Sequence, residues 1–469
     1  QDQRWVHMNG AFLHGDGEAF DAQVTLWNMS CVFCHNTGPK PKIQNLQAMR
    51  QSGQAVDVQR DARFATETAE LGIGCEACHG PGAQHVALNQ SWFRRTWLGL
   101  FGGPDPSIIH PLKLAAKQAN AVCGQCHGQR QPKQAQWIEQ WMDAGPSFRP
   151  GDVLEDFVTP VSRETPVPSG YDPGLYANRF WRDGSPRLSA YEYQSLLQSK
   201  CANDQRLTCM SCHSMHAGAP DGMLSERGAT DAPCLQCHEG MREAEAKAIH
   251  SKHRGQELGN RCVDCHMPKQ VYGVMSIKRS HRIQIPSASN AAASGAPNAC
   301  LNCHAEQNLA WVAQQLSERW GASDQPPALR DDGAALATSQ LRAGLFAGDP
   351  IQRAIAAEQW AHPDNGLSQM RLEGELPLLI LAHLDSYAAV RRFANLSARR
   401  ALARLEVSQR KALRIALEAF DFQAPPDIRL RQVSDIQSAW PADYDALEVE
   451  LAPLRALAGA QSKRIEVGE

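Results

Sequence analysis

Fourteen of the fifteen cysteines stand in seven C-x-x-C pairs, and every pair is followed at once by histidine. The frames are Cys31, Cys34 and His35; Cys75, Cys78 and His79; Cys123, Cys126 and His127; Cys209, Cys212 and His213; Cys234, Cys237 and His238; Cys262, Cys265 and His266; and Cys300, Cys303 and His304. Two thiols at this spacing reach the two vinyl groups of a haem and form thioethers, and the adjacent imidazole falls under the iron. Zinc or disulfide chemistry requires no histidine at that place. With 17 histidines in 469 residues, seven such coincidences by chance have odds on the order of 10⁻¹⁰. The pattern predicts seven covalent c-type haems and their iron.

Each iron takes a second axial ligand, or stays open if it does chemistry. Ahead of the last motif the chain offers eight further histidines: His7, His14, His85, His110, His216, His250, His253 and His281. Eight candidates for seven sites predict mostly bis-histidine haems. His85, behind a Gly-Pro-Gly turn, is expected to swing toward a neighbouring haem. His216 lies too close to His213 to wrap round the same iron. His250 and His253 are one turn apart, and one of them is expected to be spare. Met215 and Met267 read as packing, and His362 and His383 as ordinary helix residues. Cys201, the unpaired thiol, reads first as a buried free cysteine, against an intermolecular disulfide, a haem-adjacent thiolate or a distal ligand.

The elements that must position these groups fall into two parts. Residues 1–307 carry all the motifs and read as short helices around each C-x-x-C-H, joined by long loops, with the haems supplying buried apolar surface. The aromatic-rich stretch between His127 and Cys209 reads as cover for haem faces and edges. Residues 308–469 lack cysteine and show apolar residues at intervals of three and four. Helices are expected over Asn308 to Trp320, Gly333 to Phe346, Asp349-Pro350 to Trp360 and Leu372 to Leu384, with one capped by Asp385-Ser386 running to Leu405. Arg353 and Arg391 in the second helices of two pairs give a HEAT-like repeat pattern. The fold class is mostly α with extensive loops: a multihaem cytochrome c domain organised around stacked haems, then an α-helical repeat-like domain.

A net charge of −3 argues against a nucleic-acid partner, and no apolar run is long enough to be a transmembrane segment. Covalent haem attachment takes place on the oxidising side of a membrane, so an exported chain is expected, periplasmic or extracellular at the cell surface.

The segment from Gly72 to His85, with Cys75, Cys78, His79 and a Gly-Pro-Gly turn, resembles tetrahaem cytochromes c of nitrogen metabolism. The run Cys262 to Pro268, with His281 downstream, is similar to a unit of pentahaem nitrite reductases and their octahaem relatives. With the helical tail, the chain resembles exported multihaem cytochromes bearing HEAT- or TPR-like repeats. The resemblance implies closely packed haems in parallel and perpendicular pairs, with His85 and His281 as distal ligands. Nitrite reductases carry Lys in place of the motif histidine at their catalytic haem, and no motif here does. The expected function is therefore electron relay between redox partner proteins, with self-association through haem stacking or the helical domain as a variant. The alternative is an oxidoreductase acting on a small nitrogen or sulfur compound at one five-coordinate haem.

Overall fold

One turn of helix is enough to bring residues i, i+3 and i+4 to the same face, and each motif folds as such a turn. Short α-helices cover Val32–His35, Glu76–His79, Ala232–Leu235 and Cys262–His266, and 3-10 turns cover Cys209–Ser211 and Cys300–Asn302. The third motif ends the longer helix Ala116–Gly124. The histidine N–H bonds back to the first cysteine carbonyl at 2.8–3.0 Å in six of the frames, and the seventh lies inside its helix. The computed structural model describes residues 13, 15–17, 26–51, 61–134, 136–167, 172–204, 206–219, 222–253, 259–324, 338–360, 369–405 and 410–460. His7, His14 and His362 lie outside them.

The chain is mostly helical. Among the described residues its sheet consists of three two-stranded antiparallel ladders: Asn36–Thr37 with Glu70–Leu71, Arg130–Pro132 with Val158–Pro160, and the hairpin of Lys269–Gly273 with Ser276–Arg279. The described residues fall into two compact units. One draws on 21–161 and 190–233 and holds the first four motifs. The other draws on 1–20, 162–189 and 234–467 and holds the last three motifs together with the C-terminal helices.

In the four-motif unit, Ala121, Trp141, Phe148, Leu154, Val158 and Tyr193 pack into a small core. Several of the rings between His127 and Cys209 thus pack against one another. In the other unit, Trp181 is fully buried, with its indole N–H on the Gln270 carbonyl at 3.2 Å.

The helical residues follow the sequence pattern closely. Leu309–Trp320 starts behind Asn308, whose side chain accepts from the Trp311 N–H. Gln340–Phe346 starts behind Ser339; the expected earlier start at Gly333 lies outside the described residues. Asp349 caps Pro350–Gln359 in a box with Gln352, as its side chain and the N1 proline dictate. Gln369–Ala382 and Ala388–Arg404 follow, then Arg410–Ala419, Pro426–Ala439 and Tyr444–Ala460. Neighbouring helices pack over a seam that buries Ile351, Ile355, Leu376, Leu379, Val390 and Phe393, each contributing about 2 kcal/mol. Asp385 does not cap as expected: Ala388–Arg404 starts behind Tyr387, and the Asp385 carboxylate instead takes the Arg353 guanidinium at 2.8 Å and the Tyr387 N–H at 2.9 Å.

Candidate haem attachment sites

None of the described cysteines forms a disulfide, and each is half-buried or exposed. Among the described residues no three His, Cys, Asp or Glu side chains gather to hold a bare metal ion. At the second motif a cleft of about 640 Å³ is lined by Cys75, His79, Gly82, His85, Val86 and Ile108, and Leu71, Ile73 and Val86 stand exposed near it. An apolar macrocycle attached there would cover such surface. The residues fit the group.

The imidazoles are oriented for this role. The Nδ1 atoms of His79, His213 and His266 lie 2.7, 2.8 and 2.8 Å from the carbonyls of Ile109, Gly222 and Gln284. A carbonyl only accepts, so Nδ1 holds the proton and Nε2 keeps its lone pair for a metal. His253 is held the same way, by the Ser251 carbonyl at 2.7 Å. Gly259, at φ +85°, leaves that ring its room, since a Cβ there would meet the ring at 2.8 Å. His127 differs: its Nδ1 faces the Glu192 carboxylate at 3.3 Å, and that hydrogen bond raises its basicity.

Three attachment histidines face three of the candidates. The ring centroids of His79 and His216 are 6.0 Å apart, those of His266 and His250 6.1 Å, and those of His304 and His253 6.3 Å. Two imidazoles bound to one iron, each at about 2 Å through a ring nitrogen, have centroids about 6 Å apart. His250 thus faces the sixth motif and His253 the seventh. The helix Leu309–Trp320 braces this corner: Trp311 packs on His304 at 5.0 Å, and the Trp320 indole N–H donates to the His250 carbonyl at 2.7 Å.

The remaining candidates are placed differently. His85 lines the same cleft as His79; its Nδ1 meets Asp105 at 3.3 Å and Ser107 at 3.1 Å. Hydrogen bonds from Ser107 and Asn89 hold the Asp105 carboxyl well below its ordinary range. His110 is exposed at the start of the turn Pro111–Lys113, next to the Ile109 carbonyl that holds His79. His281 is half-buried behind fully buried Ser280. Cys201 is half-buried and forms no disulfide among the described residues.

Motifs also approach one another. Cys126 and Cys34 share a hydrogen bond, as do Cys209 and Cys123. The bond from Cys209 pushes the Cys123 thiol down to about 7 and drives Cys209 up. Burial, with Cys123 nearby, raises Cys78, and burial with Cys300 nearby raises Cys265 to about 12. The third motif therefore adjoins the first, second and fourth, and the sixth adjoins the seventh. Glu192, Gly259 and Trp311 were missed in the sequence, because Nδ1 partners and ring neighbours far along the chain leave no local signal.

Motif turns, half-buried cysteine pairs and paired imidazoles are the features of a multihaem c-type cytochrome. Residues 201–243 match the family model of the doubled CXXCH motif. The chain is also 24% identical over 212 residues to the multiheme cytochrome MtrA of Shewanella baltica (strain OS185), covering 43% of this chain and 54% of that protein. The chain therefore spans about half the length of the curated relative it matches. No solved structure matches.

Proposed function

We propose that the chain binds seven c-type haems, one at each motif, and relays electrons between redox partner proteins. Residues 1–307 would carry the haems, and 308–469 would act as scaffold and partner surface. The observation that carries this reading is the set of three histidine pairs at 6.0–6.3 Å, in which each attachment histidine meets a second imidazole. Haem supplies a one-electron change at iron. The protein's part is to hold the rings of His79, His127, His213, His253 and His266 by Nδ1 hydrogen bonds, offer Nε2 lone pairs to the iron, and keep neighbouring motifs close. The sulfur contacts from Cys34 to Cys126 and from Cys123 to Cys209 support short steps between successive groups.

His79 with His216, His266 with His250, and His304 with His253 are proposed as axial pairs. His7, His14, His85, His110 and His281 are the proposed partners for the other irons. We place the chain outside the cytoplasm, in the periplasm or at the cell surface, on the chemistry of haem attachment. Among the described residues no helix is long and apolar enough to cross a membrane.

The test is a haem count by pyridine haemochrome with an electron paramagnetic resonance spectrum of the oxidised protein. Seven low-spin haems are expected. Fewer haems would sink the count, and a strong high-spin signal would favour the oxidoreductase alternative, with one open iron.

A further inference from the structure

We infer that Glu192 is a tuning residue for the haem of the third motif, lowering its reduction potential by pulling on the outer nitrogen of His127. This rests on the haem reading above and adds to it which site is tuned and by what.

Four attachment histidines have a defined hydrogen-bond partner at Nδ1. In His79, His213 and His266 it is a backbone carbonyl; in His127 it is the Glu192 carboxylate, at 3.3 Å. A carbonyl offers a dipole, whereas a carboxylate offers a full charge. Pulled by the anion, the Nδ1 proton leaves more electron density on Nε2, which makes the ring a stronger donor and favours ferric over ferrous iron.

The pairing is built rather than casual. The two stretches are laced by backbone bonds, from Tyr193 N–H to the His127 carbonyl at 2.9 Å and from Gln129 N–H to the Ala190 carbonyl at 3.1 Å. The second Glu192 oxygen accepts the Ala190 N–H at 3.3 Å. Ala190 sits at φ +65°, a region a non-glycine residue enters at a cost. Next to Glu192, Tyr193 is buried, with its ring against Gly124 so closely that a Cβ there would meet it at 2.7 Å. Glu192 is thus fixed on both sides while its carboxylate faces the ring.

Position gives the effect its weight. The third motif adjoins the first through Cys126 and Cys34, and the fourth through Cys123 and Cys209. A lowered potential at this junction acts where paths from its neighbours meet.

The test uses the full haem-loaded chain carrying Glu192→Gln. Mass spectrometry first establishes haem on the Cys123–Cys126 peptide; its absence there would overturn the haem reading at this motif, and this inference with it. With the haem present, a spectroscopic redox titration should show one electron's worth of the curve moving to higher potential, with Glu192→Asp moving it less. No movement, or a uniform movement of the whole curve, overturns the tuning role and leaves the haem reading standing. Should Glu192→Gln fail to accumulate, ¹⁵N-histidine-labelled unsubstituted protein in the reduced state decides. One attachment Nδ1 should resonate toward the imidazolate range, and equivalence of all of them overturns the inference.

Discussion

The rings of His250 and His266 face each other with centroids 6.1 Å apart and planes inclined by 12°. Three residues further on, His253 faces His304 at 6.3 Å. One short segment thus sets a histidine against each of two motifs. His250→Ala should open the iron at His266, and His253→Ala the iron at His304. Each should add one high-spin signal to the paramagnetic resonance spectrum of the oxidised protein, and the double variant two. A single variant that left every haem low-spin would remove that pair from the assignment.

His216 carries a comparable expectation for the second motif. It stands three residues beyond His213 but faces His79 at 6.0 Å. His216→Ala should create one open iron that takes up cyanide or carbon monoxide. Mass spectrometry should still find haem on the Cys209–Cys212 peptide, because His213 keeps its own bond to the Gly222 carbonyl. New ligand binding at the haem of a different motif would reassign the pair.

His383 makes the helical part sensitive to acid. It is fully buried, donates from Nδ1 to the Leu379 carbonyl at 2.8 Å and meets the Asn395 amide at Nε2. Burial pushes its pKa from 6.5 down to about 4. Between those values the unfolded chain takes a proton that the folded chain refuses. The stabilisation is complete above pH 6.5 and is lost as pH falls toward 4, by roughly 3 kcal/mol. Thermal melts from pH 7.5 to 4.5 should show a shallower decline for His383→Gln than for the unsubstituted protein. Equal slopes would mean that other groups set the acid sensitivity.

The attachment residues were legible because their spacing is itself the chemistry: C-x-x-C-H needs only one turn, and each motif forms one. The helical part was legible for a similar reason. Asn308, Asp349 and Pro350 are local signals, and Asp349 caps its helix as its side chain dictates. Partner choice was not legible. Which imidazole meets His79 depends on how residues 79 and 216 come together across the fold, and nothing near either one encodes it. Asp385 shows how a local rule loses: its carboxylate has a stronger partner in Arg353, so the cap position passes to Tyr387.

Asp16 tests whether the start of the chain stabilises the helical residues at its far end. Its N–H donates to the Ser386 carbonyl at 2.9 Å, and its carboxylate takes Arg391 at 3.3 Å and Arg429. Both guanidiniums are buried, and burial lowers Arg391 to about 10, still charged at neutral pH. Asp16→Asn would leave two buried cations facing a neutral amide. Breaking a buried pair costs about 3–5 kcal/mol, but the Asp16 side chain is 35% exposed, so solvent screening reduces the expected loss to about 2 kcal/mol. Arg391 also donates to the Phe422 and Asp385 carbonyls, so Arg391→Ala should cost more than Asp16→Asn. Melting curves of the two variants and their combination check this. A combined loss smaller than the sum of the two is expected, because they share one interaction; strict additivity would mean that Asp16 and Arg391 act independently.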